Sequence, residues 1–296
     1  MQKRVIDIIR DTQKAGKHCL SFEFFPPKSD EGLSKFYEVA RQLKTARPSF
    51  VTVTYGAGGS TRERTLDMCS WLKEELKITV VPHLTCVASS KNDIKNIVGE
   101  FKKQDFLNIM SLRGDPPQET CQFTPVSDGF RHANELVSFL KMEFPEICLG
   151  VGGYPEKHPE ASSFEEDLHF LKRKVEAGAS FITTQLFFDN TLYYRFVEAA
   201  QKVGIGEAVP IIPGIMPILS YSQIKRFTHM CGASLPKKLV HKLEKAENDP
   251  EAMELIGIDW ATKQIDYLFK ENVPGIHLYI LNRSRAALEL SKRLQF

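Results

Sequence analysis

Eight short runs rich in β-branched and aromatic residues recur at a spacing of about 30 residues, and helical stretches lie between them. The runs are CLSFEFF (19–25), SFVTVTY (49–55), TVVPHLTC (79–86), FLNIMSLRG (106–114), CLGVGGYP (148–155), FITTQLFF (181–188), VPIIPGIM (209–216) and GIHLYIL (275–281). That rhythm predicts an α/β fold, a (β/α)8 TIM barrel, with an open doubly wound sheet as the competing arrangement. Helices are expected over EGLSKFYEVARQLK, KNDIKNIVGEFKKQ and SSFEEDLHFLKRKVEAG, the last opening at a serine cap and closing on Gly178. The interval 221–272 holds two or three helical stretches where one would serve, so SLPKKLVHKLEKAENDPEAMELIG reads as an extra helical excursion between strands 7 and 8. No Pro-, Gly- or Ser-rich linker divides the chain, and 1–296 is expected to form a single domain.

Acids and bases are mixed along the 296 residues and the net charge is only +2, which gives no support to a nucleic-acid or membrane partner. The N-terminal stretch spaces charged and apolar residues as a helix does and lacks the apolar core of a signal peptide. No apolar run is long enough to span a bilayer, and a cytoplasmic location is expected. The six cysteines are scattered without a C-x-x-C pair, and each is expected to be structural.

A TIM barrel carries its chemistry at the C-terminal ends of its strands. Those ends supply Glu23, Thr54, His83, Arg113 with Gly114 and Asp115, Tyr154, Gln185, and Asn282 with Arg283. Alternation sets Glu23 opposite Phe22 and Phe24, so it points into the barrel if the phenylalanines pack under helices. Its plain role there is a buried partner for an arginine. Its sharper role is a carboxylic acid whose pKa is raised by apolar surroundings, ready to donate a proton. In LRGDPP, Asp115 either pairs with Arg113 or caps a turn, and the arginine and backbone N–H groups also suit a flat heterocycle bearing a pyrophosphate. Neither GAGGS (56–60) nor GVGG (150–153) has phosphate-loop spacing, and the histidines lack metal-ligand spacing. The cluster KRK (172–174) reads as a solvated helix face with a possible reach to a phosphate. None of the strand runs contains the lysine of a Schiff-base aldolase.

The blocks SFEFFPP, VTYGAGGSTRERT, PHLTC, LRGDPP, YPEKHPEA, TQLFFD, IPGIMP and YILNR together resemble the methylenetetrahydrofolate reductases, nearly end to end and in order. The resemblance implies an FAD-containing barrel that reduces 5,10-methylenetetrahydrofolate to 5-methyltetrahydrofolate by ping-pong hydride transfer, feeding methionine synthesis and one-carbon metabolism. By motif, Glu23 matches the acid that opens the folate's five-membered ring, and Asp115 the carboxylate between flavin and pterin. Gln185 and Arg283 match folate contacts. Thr54, His83, Leu112, Arg113, Gly114, Tyr154, His158, Asp167, Lys174 and Ala133 fall on the flavin side.

Two positions depart from the bacterial pattern. His132 stands where a tyrosine precedes the alanine, and Tyr221 where a phenylalanine stacks. The resemblance also implies NADH or NADPH as electron donor and a homo-oligomer. A large C-terminal regulatory domain, and with it inhibition by S-adenosylmethionine, is not expected. Two rival readings are a folate-binding barrel without flavin and a non-catalytic folate-binding subunit. A flavin absorption band separates the first reading from both.

Overall fold

The computed structural model describes residues 2–55, 59–115, 125–206 and 208–294. Of the sequence features above, Gly56–Gly58 of GAGGS, the prolines of LRGDPP and Cys121 lie outside the described residues. The eight strands are β1 (Cys19–Phe24), β2 (Phe50–Val53), β3 (Val80–Thr85), β4 (Asn108–Leu112), β5 (Cys148–Gly153), β6 (Phe181–Leu186), β7 (Ile211–Ile215) and β8 (Gly275–Tyr279). They follow one another in chain order around a closed barrel, every pair parallel, and β8 closes on β1 with Cys19 opposite Gly275 and Glu23 opposite Tyr279. The predicted TIM barrel is the observed fold.

Before β1 runs α1 (Val5–Lys14), and among the described residues β1 to β6 are each followed by one helix: α2 (Asp30–Lys44), α3 (Gly59–Glu74), α4 (Lys91–Lys103), α5 (Ala133–Glu143), α6 (Phe164–Glu176) and α7 (Asn190–Lys202). The expected Ser cap of α6 is Ser163, whose hydroxyl accepts from Glu166 N–H at 3.1 Å, and Gly178 follows with φ +117°. Between β7 and β8 lie α8 (Tyr221–Cys231), α9 (Lys237–Lys245) and α10 (Pro250–Lys270), and α11 (Arg285–Leu294) follows β8. The excursion is no detached lobe. Met253 of α10 packs with Leu239 and Leu243 in a satellite core, whereas Ile258, Ala261, Ile265 and Leu268 further along the same helix join the main core. The crossing is tight at Gly257, where a Cβ would come within 1.9 Å of Ile218 C=O.

Alternation along each strand sends Phe22 and Phe24 outward to the helices, with Phe24 edge-on to Phe36 at 5.2 Å. The inward set at the N-terminal end is Cys19, Phe50, Val81, Met110, Cys148, Phe181 and Ile212, and Val5, Ile6 and Ile9 of α1 cover it. Gly150 makes room for the Phe181 ring, since a Cβ there would lie 2.3 Å from Cζ. Asn108 ties α1 down, accepting from Val5 N–H at 2.7 Å and donating to Lys3 C=O at 2.9 Å. The bottom of the barrel is thus filled and plugged, and the polar inward residues remain at the other mouth.

Candidate active site

Glu23 stands on β1 at that C-terminal mouth, with Oε2 at 3.5 Å from His83 Nε2 of β3 and 3.6 Å from His277 Nε2 of β8. Its side chain is 23% exposed, enough for a substrate atom to reach it. Behind it, His277 Nδ1 lies 2.9 Å from Ser21 Oγ, which is also 3.2 Å from Ile276 C=O. The hydroxyl has one proton to place. Donated to Ile276, it leaves Oγ to accept from Nδ1–H. Donated to Nδ1, it leaves Nε2–H facing Glu23. Tyr279 packs edge-on against His277 at 5.2 Å and donates to Thr184 C=O at 2.7 Å.

The sequence pattern raises the expectation of a Glu23 pKa lifted by apolar neighbours, and the structure corrects it. Burial does push the carboxyl up, but the interaction with His277 and the positive potential of His83 and His277 outweigh it, so the pKa is held below the ordinary range. Phe22 and Phe24 face the other way, as alternation predicts, and the inward neighbours are imidazoles. Nor is the partner an arginine. Burial lowers the His83 pKa, partly offset by Glu23.

Along β4 and β5 the loops interlock. Gly114 has φ +89°, and a Cβ on it would lie 2.7 Å from Val87 Cγ1, so glycine is required where this turn meets the loop after β3. Arg113 C=O there accepts from Val87 N–H at 3.0 Å. The Arg113 guanidinium is gripped by both Glu160 oxygens, at 2.6 and 2.7 Å, which leaves Asp115 exposed at the rim, not paired as one reading of LRGD had it. Glu160 N–H donates to His158 Nδ1 at 3.1 Å, and His158 N–H donates to Asp167 Oδ2 at 3.0 Å. Tyr154 stands edge-on to His158 at 4.7 Å. Within KRK, Lys174 turns inward and donates to Gly152 C=O at 2.8 Å. Burial pushes its pKa down to about 8, against the pull of Asp167, and burial raises Asp167.

Other expected residues are more scattered. Thr54 N–H continues the sheet by donating to Phe24 C=O at 2.9 Å. Gln185 folds its side chain back so that Oε1 accepts from Leu186 N–H at 2.9 Å. His132 is the exposed residue before α5, stacked on Phe170 at 6.5 Å, and Ala133 opens the helix. The Tyr221 ring is buried in the satellite core and its hydroxyl donates to Glu244 at 3.1 Å. Arg283 is exposed just beyond β8. Among the described residues no set of His, Cys, Asp and Glu side chains is arranged to hold a metal ion, and no helix is long and apolar enough to cross a membrane.

The family model for methylenetetrahydrofolate reductase matches residues 8–295. The chain belongs to that family. It is 34% identical to 5,10-methylenetetrahydrofolate reductase of Escherichia coli K12, over 94% of this chain and 91% of that protein. It is also 34% identical to methylenetetrahydrofolate reductase (NADH) 1 of Arabidopsis thaliana, over 98% of this chain and 50% of that protein. The chain therefore spans about half the length of its plant relatives. A solved structure from Clostridium thermocellum, described as an uncharacterized protein that binds two copies of 5-methyl-5,6,7,8-tetrahydrofolic acid, shares the fold with a TM-score of 0.66 over 96% of each chain at 12% identity.

For a methylenetetrahydrofolate reductase barrel, the residues that sequence reading passes over are His277, Tyr279 and Glu160. His277 had a usable signal: it lies two residues before Tyr279 and two after Gly275, on the inward face of a predicted strand. Glu160 had none, since a glutamate 47 residues from Arg113 in a polar loop looks like any surface acid.

Proposed function

We propose that the chain catalyses flavin-dependent reduction of 5,10-methylenetetrahydrofolate to 5-methyltetrahydrofolate, with NADH or NADPH as electron donor. The observation that carries this reading is the Glu23 carboxylate, solvent-reachable and flanked by two imidazoles, at the mouth of a barrel of this family.

The C-terminal ends of β3 to β5 fit FAD. Alternation from Val81 turns His83 and Thr85 toward the barrel interior; Thr85 Oγ1 is buried without a hydrogen-bond partner, and His83 Nε2 makes no hydrogen bond although it faces Glu23 at 3.5 Å. Gly152 leaves bare backbone beside Leu112, for a Cβ there would meet Leu112 Cδ2 alone, at 3.8 Å. A flat ring suits that gap. Lys174 is a desolvated ammonium whose pKa an anionic group would restore, so it suits the pyrophosphate. Thr54, Arg113, Gly114, Tyr154, His158, Asp167 and Ala133 complete the cofactor set, with Asp115 between it and the folate. When bound, the flavin supplies the hydride carrier.

The protein's part is proton placement and orientation. Glu23 delivers a proton to the folate nitrogen that leaves when the five-membered ring opens. In the free site it is a carboxylate, which takes up its proton from solvent through its exposed edge, while His277, backed by the Ser21 hydroxyl, holds its orientation. An incoming ring that displaces water from Glu23 raises its proton affinity at the moment the proton is needed. Asp115 favours the cationic state that develops on the folate. Gln185 and Arg283 hold the folate, and Tyr221 supports the neighbouring wall. A homo-oligomer in the cytoplasm belongs to the same reading, which five free cysteines among the described residues support as to compartment.

The test is spectral and kinetic. Purified protein is expected to show a flavin band near ~450 nm, bleached by NADH or NADPH and restored by 5,10-methylenetetrahydrofolate. A protein that binds folate yet takes up no flavin defeats the proposal in favour of a folate-binding barrel.

A further inference from the structure

Backbone pairing between β1 and β8 stops at Glu23 and Tyr279. Beyond that pair a side chain continues the ladder: Phe25 N–H donates to Asn282 Oδ1 at 3.1 Å, and Asn282 Nδ2 donates to Phe25 C=O at 2.8 Å. A primary carboxamide presents a donor and an acceptor side by side, so Asn282 stands in for the strand residue that β8 no longer offers. The chain after β8 has already turned away. Leu281 and Asn282 both have left-handed backbone, with φ of 50° and 52°, and Arg283 N–H closes the turn on Ile280 C=O at 2.9 Å. Two such residues in succession are costly, above all for leucine, and persist where surrounding contacts over-determine them.

The segment beyond Glu23 is tied at successive points. Phe24 C=O accepts from Thr54 N–H at 2.9 Å, Phe25 is held by Asn282, and Pro27 C=O accepts from Arg64 Nη1 at 2.9 Å. Of these ties, the one from Asn282 reaches the strand that carries His277 and leads into Arg283. One amide therefore links the height of Glu23 on β1 to the imidazole behind it and to the arginine at the rim.

We propose that Asn282 is a positioning residue, its carboxamide extending the β1–β8 ladder so that Glu23, His277 and Arg283 keep a fixed mutual geometry. The proposal rests on the reading of Glu23 as the acid and Arg283 as a folate contact. Its test is Asn282→Gly, because glycine occupies left-handed backbone without strain and removes the carboxamide alone. The variant is expected to keep its FAD content and the rate of flavin reduction by the donor, while the folate half-reaction slows by roughly tenfold or more. The ¹³C resonance of the Glu23 carboxyl is expected to titrate at a shifted pH in the same variant. Asn282→Ala adds backbone strain and is expected to melt below Asn282→Gly.

A glycine variant with an unaltered folate half-reaction overturns the proposal. So does one in which both half-reactions and the melting temperature fall together, which marks a purely structural tie. Should the wild-type protein reduce no folate at all, the functional reading fails by itself, and the Glu23 titration decides the geometric claim. A shift between wild type and Asn282→Gly upholds the link to Glu23, and an unmoved titration refutes it.

Discussion

Glu23 and His83 face each other at 3.5 Å across the top of the barrel, on strands separated by β2. Under the proposed roles, the contact joins a residue of the folate side with one of the flavin side. Proton state and cofactor environment are thereby neighbours in space, although their motifs are 60 positions apart in the chain.

Replacing that carboxylate should separate its two roles. Glu23→Gln is expected to retain fold, flavin and reduction by the donor, and to lose at least ~10²-fold in folate reduction, the scale of a lost general acid. Stopped-flow measurement of each half-reaction checks this. A variant still fast toward folate removes Glu23 from the chemistry. Because the Glu23 pKa is held below the ordinary range, its carboxylate contributes stability at neutral pH that is lost as pH falls through the folded-state value. Glu23→Gln should therefore flatten part of the acid limb of the melting curve.

Under the proposed assignment, Lys174 should make cofactor binding pH-dependent. Its pKa in the cofactor-free protein is about 8, and an anionic ligand needs the charged form. FAD affinity is expected to fall as pH rises through 8, and Lys174→Met to bind weakly at every pH with that dependence gone. Fluorescence titration at pH 7 and pH 9.5 decides it, and equal affinities at both count against the assignment. In the cofactor-free protein the sign is reversed: stability should rise as pH climbs from about 8 toward the ordinary lysine value of about 10.4, since the unfolded chain then binds the extra proton.

Glu160 should matter through Arg113. The pair is bidentate, but Glu160 is 54% exposed, so Glu160→Gln alone is expected to cost no more than ~1 kcal/mol of stability. Its larger effect should be on flavin retention, because the carboxylate fixes the orientation of the Arg113 guanidinium at the barrel mouth. A double-mutant cycle with Arg113→Met reads the coupling. Additive losses in FAD affinity would show that the two residues act separately.

The lower barrel offers a test free of cofactor. Gly150→Ala drives a methyl into the Phe181 ring and is expected to destabilise by about 1–3 kcal/mol. Adding Phe181→Leu should recover part of that loss in urea melts. If the double variant is less stable than the sum of the singles, the ring is not what fills the glycine's space.

Much of this architecture was legible because buried parallel strands announce themselves as apolar β-branched runs, and each predicted run overlaps an observed strand to within a few residues. Inward placement of Glu23 followed from alternation alone. Its ionisation did not, because that depends on His277, 254 positions away, and on a barrel closure that no local pattern encodes. The motif that assigns Gln185 and Tyr221 to the folate side says nothing of their own contacts: Tyr221 packs under the excursion and Gln185 turns onto its own strand. Contacts of that kind are set by tertiary packing.

The closing seam of the barrel also sets a timetable for synthesis. Ser21 must find Ile276 and His277, partners 255 and 256 residues later. At a translation rate of about 5–20 residues per second, the open edge of β1 waits roughly 13–50 s for β8. During that interval it is an unpaired edge of alternating apolar residues, able to recruit any other nascent strand. The bottom plug can begin to dock sooner, since its polar tie, Asn108, lies on β4, and Phe181 and Ile212 complete its apolar bed with β6 and β7. Early docking of α1 therefore shields the apolar end of the half-built sheet while its other edge stays open.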